Sequence, residues 1–110
     1  LTLKLPAWRS ADAVYQEIGA WLDAREVPGD TIVMVANPPA FYYHAQVAAV
    51  VVPNGDVGTL LAVADRYRVT YVVLDQNHPR KLAELYQGLE VPGLELVATF
   101  GDGEVRVYRR

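Results

Sequence analysis

The chain has no cysteine, and it has one serine, one methionine and two histidines. Without cysteine there is no disulfide, no thiolate metal site and no thiol nucleophile. The lone serine, Ser10, stands at a helix start, so no Ser-His-Asp nucleophile and no G-x-S-x-G elbow can be assembled. Positive charge is short as well. Ten Lys and Arg face thirteen Asp and Glu, a net charge of −3. That balance offers no cationic footprint for a phosphate backbone, and nucleic acid is not an expected partner. Long apolar runs are absent. The longest aliphatic run, residues 47–52, is far below the ~20 residues of a membrane-spanning helix. No signal-peptide pattern is visible. The phosphate-binding loops are missing too. There is no G-x-x-x-x-G-K-[ST], and Asn37-Pro38-Pro39 stands where a dinucleotide fingerprint would place G-x-G-x-x-G. Gly55 and Gly58 are the only phosphate-loop candidates, and they read as turn residues.

What is present is apolar. Of 110 residues, 52% are hydrophobic, which excludes a disordered chain and points to one soluble domain spanning residues 1–110. The chain starts Leu-Thr-Leu-Lys. Residues 1–9 are expected to be a lead-in from a preceding segment.

Periodicity orders the elements. Ser10 can cap a helix whose apolar positions Ala11, Val14, Tyr15, Ile18, Trp21 and Leu22 share one face. Asp12 and Glu17 early, and Arg25 late, suit its macrodipole. "VPGD", residues 27–30, is expected to stop it. "TIVMVA", residues 31–36, is a continuous β-branched run of the kind covered on both faces of a parallel sheet. "NPPAFYYHA" is expected to be a short crossover helix, with Phe41, Tyr42 and Tyr43 filling the gap to the sheet. "QVAAVVVP", residues 46–53, reads as a second strand of the same kind. Asp56 can cap the next helix, with a stripe of Val57, Leu60, Leu61, Ala64 and Tyr67. "VTYVVLD", residues 69–75, is a third strand. Pro79 suits the first position of another helix, with Leu82, Leu85, Tyr86 and Leu89 as its stripe. "LELVATF" and "EVRVYRR" around "GDG" predict a terminal hairpin. The alternation predicts an α/β fold: a Rossmann-like three-layer sandwich, a mostly parallel sheet with a C-terminal antiparallel hairpin, and the last strand at one edge.

In open α/β sheets, ligands bind beyond the carboxyl ends of strands. There the candidates are Asn37, Tyr42, Tyr43 and His44 after the first strand, and Asp75, Asn77, His78 and Arg80 after the third. Asn and Asp at strand ends more commonly make turns and caps. The two histidines with Asp75 are suitable donor types for zinc or iron, but no ligand spacing supports a metal, and neither metal nor cofactor is expected. The tyrosines can stack on a sugar ring or pack the helix. A paired-carboxylate site stays open, with Asp75 the main acid at a strand end.

Several stretches together resemble a known module. Trp21-Leu22 followed by Pro28-Gly29-Asp30, then "NPP" with "FYYHA" and "VVVP", then "YRVTYVVLD" and "VRVYRR", resemble a C-terminal extracytoplasmic domain. It is the domain of GT-C-type membrane glycosyltransferases in the prokaryotic dolichyl-phosphate-mannose–protein mannosyltransferase-like group. The resemblance runs along nearly the whole chain. Where relatives often have a glycine-arginine pair before the second strand, this chain has Ala45-Gln46. The resemblance implies a polytopic parent that transfers sugar from a polyprenyl phosphate to an acceptor outside the cytoplasm. Its catalytic acids would lie in loops between membrane helices, so no catalytic residue is assigned to this chain. Its partners would be the parent's membrane domain and a sugar acceptor or polyprenyl-phosphate sugar.

Three other readings remain beside it. One is a small-molecule or sugar-binding module using residues 37–44 and 75–80. Another is a hydrolase or transferase with Asp75 and His78 as acid and base, which must then approach within hydrogen-bond reach. The last is a homodimer built on residues 47–52 or the terminal hairpin. The C-terminal Arg106, Arg109 and Arg110 can guard the hairpin edge or meet anionic headgroups.

Overall fold

A computed structural model describes residues 11–75, 91–101 and 104–110. The expected helix over residues 79–89, residues 102–103 of the "GDG" tip, the lead-in and the expected cap Ser10 lie outside the described residues. The elements run α1 (Ala11–Ala24), β1 (Ile32–Val35), α2 (Pro38–Ala45), β2 (Ala48–Val51), α3 (Val57–Arg66), β3 (Tyr71–Leu74), β4 (Glu95–Phe100) and β5 (Val105–Arg109).

The strands form one sheet in the order β2-β1-β3-β5-β4. β1 is parallel to both β2 and β3, whereas β5 is antiparallel to β3 and to β4. The parallel half therefore follows the start of a doubly wound sheet, 2-1-3. The other half does not, and the order departs from a Rossmann sheet. The last strand is also not the edge strand expected. The hairpin folds back so that β5 lies inside and β4 at the rim. Side-chain burial explains the choice. β5 buries Val105, Val107 and Tyr108, whereas Glu95, Leu96 and Thr99 of β4 are exposed.

Strand alternation divides the core between two faces. Val33, Val35, Tyr71, Val73, Val105 and Val107 meet α1 and Phe41 of α2 on one face. Met34, Val72, Leu74 and Tyr108 meet Leu60 and Ala64 of α3 on the other. The helices thus flank the sheet on both sides. β1 and β3 are buried as their β-branched runs predict, because each has neighbours on both edges and helices on both faces. β2 is not a strand of the same kind. It is a rim strand with Ala48 and Val51 exposed.

α1 buries Val14, Tyr15, Ile18 and Leu22. Trp21 packs edge-on against Tyr71 at 5.6 Å and Phe100 at 6.4 Å. Arg25 lies just beyond the helix, with its guanidinium 4.6 Å from the Trp21 ring. Helix α1 comes so close to α2 that a Cβ on Gly19 would sit 2.9 Å from Ala45 Cα. Asp56 caps α3 as expected, its Oδ1 accepting from Thr59 N at 2.9 Å.

Candidate functional site

The carboxyl ends of β1 and β3 adjoin where the strand order reverses, and Asn37 and Asp75 follow them. Asn37 is engaged in folding there. Its Oδ1 accepts from Ala40 N at 3.3 Å, and its own N–H donates to Tyr15 Oη at 3.3 Å. Pro38 and Pro39 occupy the first positions of α2 and have no N–H to satisfy. One side chain therefore closes the start of the helix. Asp75 is half-buried at the end of β3. Asn77, His78 and Arg80 lie outside the described residues.

His44 does not join Asn37. α2 leaves the carboxyl end of β1 and delivers the chain to the amino end of the parallel β2. At ~1.5 Å per residue, His44 lies about 10 Å along the helix from Asn37. It is half-buried, with Gln16 Nε2 of α1 3.3 Å from its Nδ1 and the Tyr43 ring edge-on at 4.9 Å.

The three aromatics of α2 do not share one role. Phe41 is fully buried, 5.2 Å from Tyr15 in an edge-to-face pair. Tyr42 is 56% and Tyr43 75% exposed. The expectation that all three fill the gap to the sheet holds for Phe41 alone. A helix turns about 100° per residue, so one position cannot share the inward direction with the next two.

The amino ends of the parallel strands hold features that sequence reasoning missed. Each of α1, α2 and α3 is followed within two residues by a left-handed residue that is not glycine: Glu26, Gln46 and Arg68, at φ 54°, 61° and 57°. At α3 this is a Schellman turn. Val69 N donates to Ala64 O at 2.8 Å, and Arg68 N to Asp65 O at 3.3 Å. Two concavities open beside these residues. One, of about 230 Å³, is lined by Gly19, Asp23, Glu26, Ala45 and Gln46 among others. The other, of about 490 Å³, is lined by Asp30, Thr31, Arg68, Thr70 and Arg109 among others. It brings two guanidinium groups and one carboxylate to a polar rim. A signal for the three turns was available. In each, a long polar residue precedes a valine, as Glu26-Val27, Gln46-Val47 and Arg68-Val69, and each valine packs against the core.

The fold has a solved counterpart. The chain is similar to the C-terminal globular domain of an oligosaccharyltransferase from Archaeoglobus fulgidus. The two superpose with a TM-score of 0.57 at 13% identity, over 92% of this chain and 97% of that domain. No protein-family model and no curated protein matches the sequence. The likeness is one of fold. It falls on the kind of domain that the sequence resemblance points to, a C-terminal domain of a sugar-transferring enzyme.

Proposed function

We propose that this chain is an accessory, non-catalytic extracytoplasmic domain of a polytopic membrane glycosyltransferase that uses a polyprenyl-phosphate sugar donor. Its work is to help position the acceptor or to hold the assembly together. The observation behind this reading is the fold, matched end to end by a C-terminal globular domain of an oligosaccharyltransferase. The sequence resemblance supplies the finer assignment. Of the candidate residues, Asn37 is spent on a helix cap and His44 packs on α1. No described helix is long and apolar enough to cross a membrane, so the membrane part of the enzyme would be contributed by the parent. In this reading, Asp75 and the residues that follow it in sequence, Asn77, His78 and Arg80, would serve the acceptor or the parent, the Asn37 side chain being taken up by its cap.

Topology mapping tests the placement. The chain has no cysteine, so a single Tyr43→Cys in the whole polypeptide, its other cysteines replaced, gives one exposed thiol. A membrane-impermeant maleimide should label it in intact cells. Labelling only after permeabilisation would reject an extracytoplasmic domain.

A further inference from the structure

From residue 31 to residue 55 the chain holds no Asp, Glu, Lys or Arg, although 21% of its residues are charged. This stretch builds β1, α2 and the rim strand β2, so these elements bring no charged side chain to the rim, the nearest described carboxylates being Asp23 and Glu26 beside Val47 at its amino end. Rim strands are normally guarded by charge, proline or a bulge. β4, at the opposite rim, has such guards: Glu95 and an irregularity between Leu96 and Ala98. β2 has the sequence AAVV, and its Val51 is 56% exposed.

The hydrogen bonding sets the phase of that rim. Val52 N donates to Val35 O at 2.9 Å. Amide groups alternate sides along a strand. Residues 48, 50 and 52 therefore address β1, and Ala49 and Val51 turn their N–H and C=O to the open side. Among the described residues no strand lies there. On α2, Phe41 faces the sheet and His44 faces α1. At 100° per residue, Tyr42 then projects away from α1, over the open rim.

We propose that this flank pairs with a second copy of the chain, β2 antiparallel to β2, to make one continuous sheet. Antiparallel pairing of a strand with itself is two-fold symmetric and closes at a dimer. Two registers come into question. Centring on Ala49 sets Ala49 opposite Ala49 and Val47 opposite Val51, with every rim N–H present. Centring one residue later sets Val47 opposite Pro53, which has no N–H. The first register is favoured. An isologous contact sets like groups near the axis, which penalises a charged face and leaves this one unopposed. Space also allows it. α2 touches both β1 and β2. An axis midway between the two strands would set α2 two strand spacings from its copy, about 9.6 Å, within the ~8–10 Å at which helices pack. Alanines at 48 and 49 keep the axis clear. The face is smaller than the roughly 20–30 residues a side of a standard interface, so the dimer should be weak and reversible. It does not depend on the glycosyltransferase reading.

Sedimentation equilibrium from about 5 µM to about 1 mM tests it, bracketing micromolar to millimolar Kd. A monomer–dimer equilibrium is expected. Ala49→Pro removes an outward N–H while sparing the ladder to β1, a place where a rim strand accepts proline. It should raise Kd at least ~tenfold. Ala49→Cys should form a disulfide dimer under an added oxidant, because Cα atoms of such a pair stand ~5.5 Å apart. Thr99→Cys on β4 should not. A monomer throughout the range would overturn the proposal. So would a dimer indifferent to Ala49→Pro that is not cross-linked through residue 49.

Discussion

Replacing Asn37 by alanine separates a capping role from a ligand-holding one. An α-helix starts with N–H groups that have no partner inside the helix. In α2 the first two positions are Pro38 and Pro39, and the third, Ala40, donates to Asn37 Oδ1 at 3.3 Å. Phe41 N already reaches Asn37 O at 3.0 Å. The side chain of Asn37 therefore does all the capping that α2 requires. Its loss to alanine should cost about 1 kcal/mol, the usual value for a cap. The entropy of unfolding is ~2.1 cal/mol/K per residue, so for 110 residues Tm should fall by about 4 °C. Asn37→Ser keeps a side-chain oxygen for Ala40 N–H and should shift Tm by no more than ~1 °C. Thermal unfolding followed by circular dichroism reads both. An unchanged Tm in Asn37→Ala, or a serine variant as damaged as the alanine one, would refute the capping argument.

Four further substitutions probe the packing and a turn. Gly19→Ala would drive a methyl to within 2.9 Å of Ala45 Cα. Backbone must move to admit it, and a loss of about 1–3 kcal/mol is expected in urea titration. Phe41→Ala should cost about 3–5 kcal/mol, whereas Tyr43→Ala should stay within ~0.5 kcal/mol, because only the first ring is buried. Arg68→Gly relieves a left-handed residue at the turn after α3. A penalty of about 1–2 kcal/mol disappears, offset by the ~0.4–1 kcal/mol that a freer unfolded chain takes back. Tm should rise by a few degrees. A lower Tm would mean that the Arg68 side chain contributes more than its backbone strain costs.

Element types were legible in the residues because each periodic stretch had a neighbour to bury against. Of the predicted stripe, Val14, Tyr15, Ile18 and Leu22 are buried on α1 and Trp21 partly so, and Asp56 caps α3 as its sequence position predicted. The burial of β1 and β3 followed from their β-branched runs. Position within the sheet was not legible. "QVAAVVVP" reads like "TIVMVA", yet one is the rim and the other lies between two strands, because the pattern of a run does not reveal how many neighbours it has. The hairpin likewise predicted pairing but not which of its strands would meet β3. In "FYYHA", composition suggested one aromatic cluster. Helix geometry sends Phe41 inward, His44 towards α1 and the tyrosines to solvent. The positions of Asn37 and Asp75 just beyond β1 and β3 were legible, because the strand ends place them. His44 was misplaced because a crossover helix carries the chain from one end of the sheet to the other. The resemblance in "NPP", "YRVTYVVLD" and "VRVYRR" pointed to a C-terminal domain of a glycosyltransferase, in keeping with the fold of the oligosaccharyltransferase domain.

Sugar transfer from a polyprenyl-phosphate donor, measured for the whole polypeptide and for the isolated chain, tests the supporting role most directly. Turnover is expected from the whole polypeptide alone. Asp75→Asn in that polypeptide should leave kcat within about threefold, any effect appearing in KM for the acceptor. Transfer by the isolated chain, or loss of kcat in a folded Asp75→Asn variant, would contradict an accessory domain.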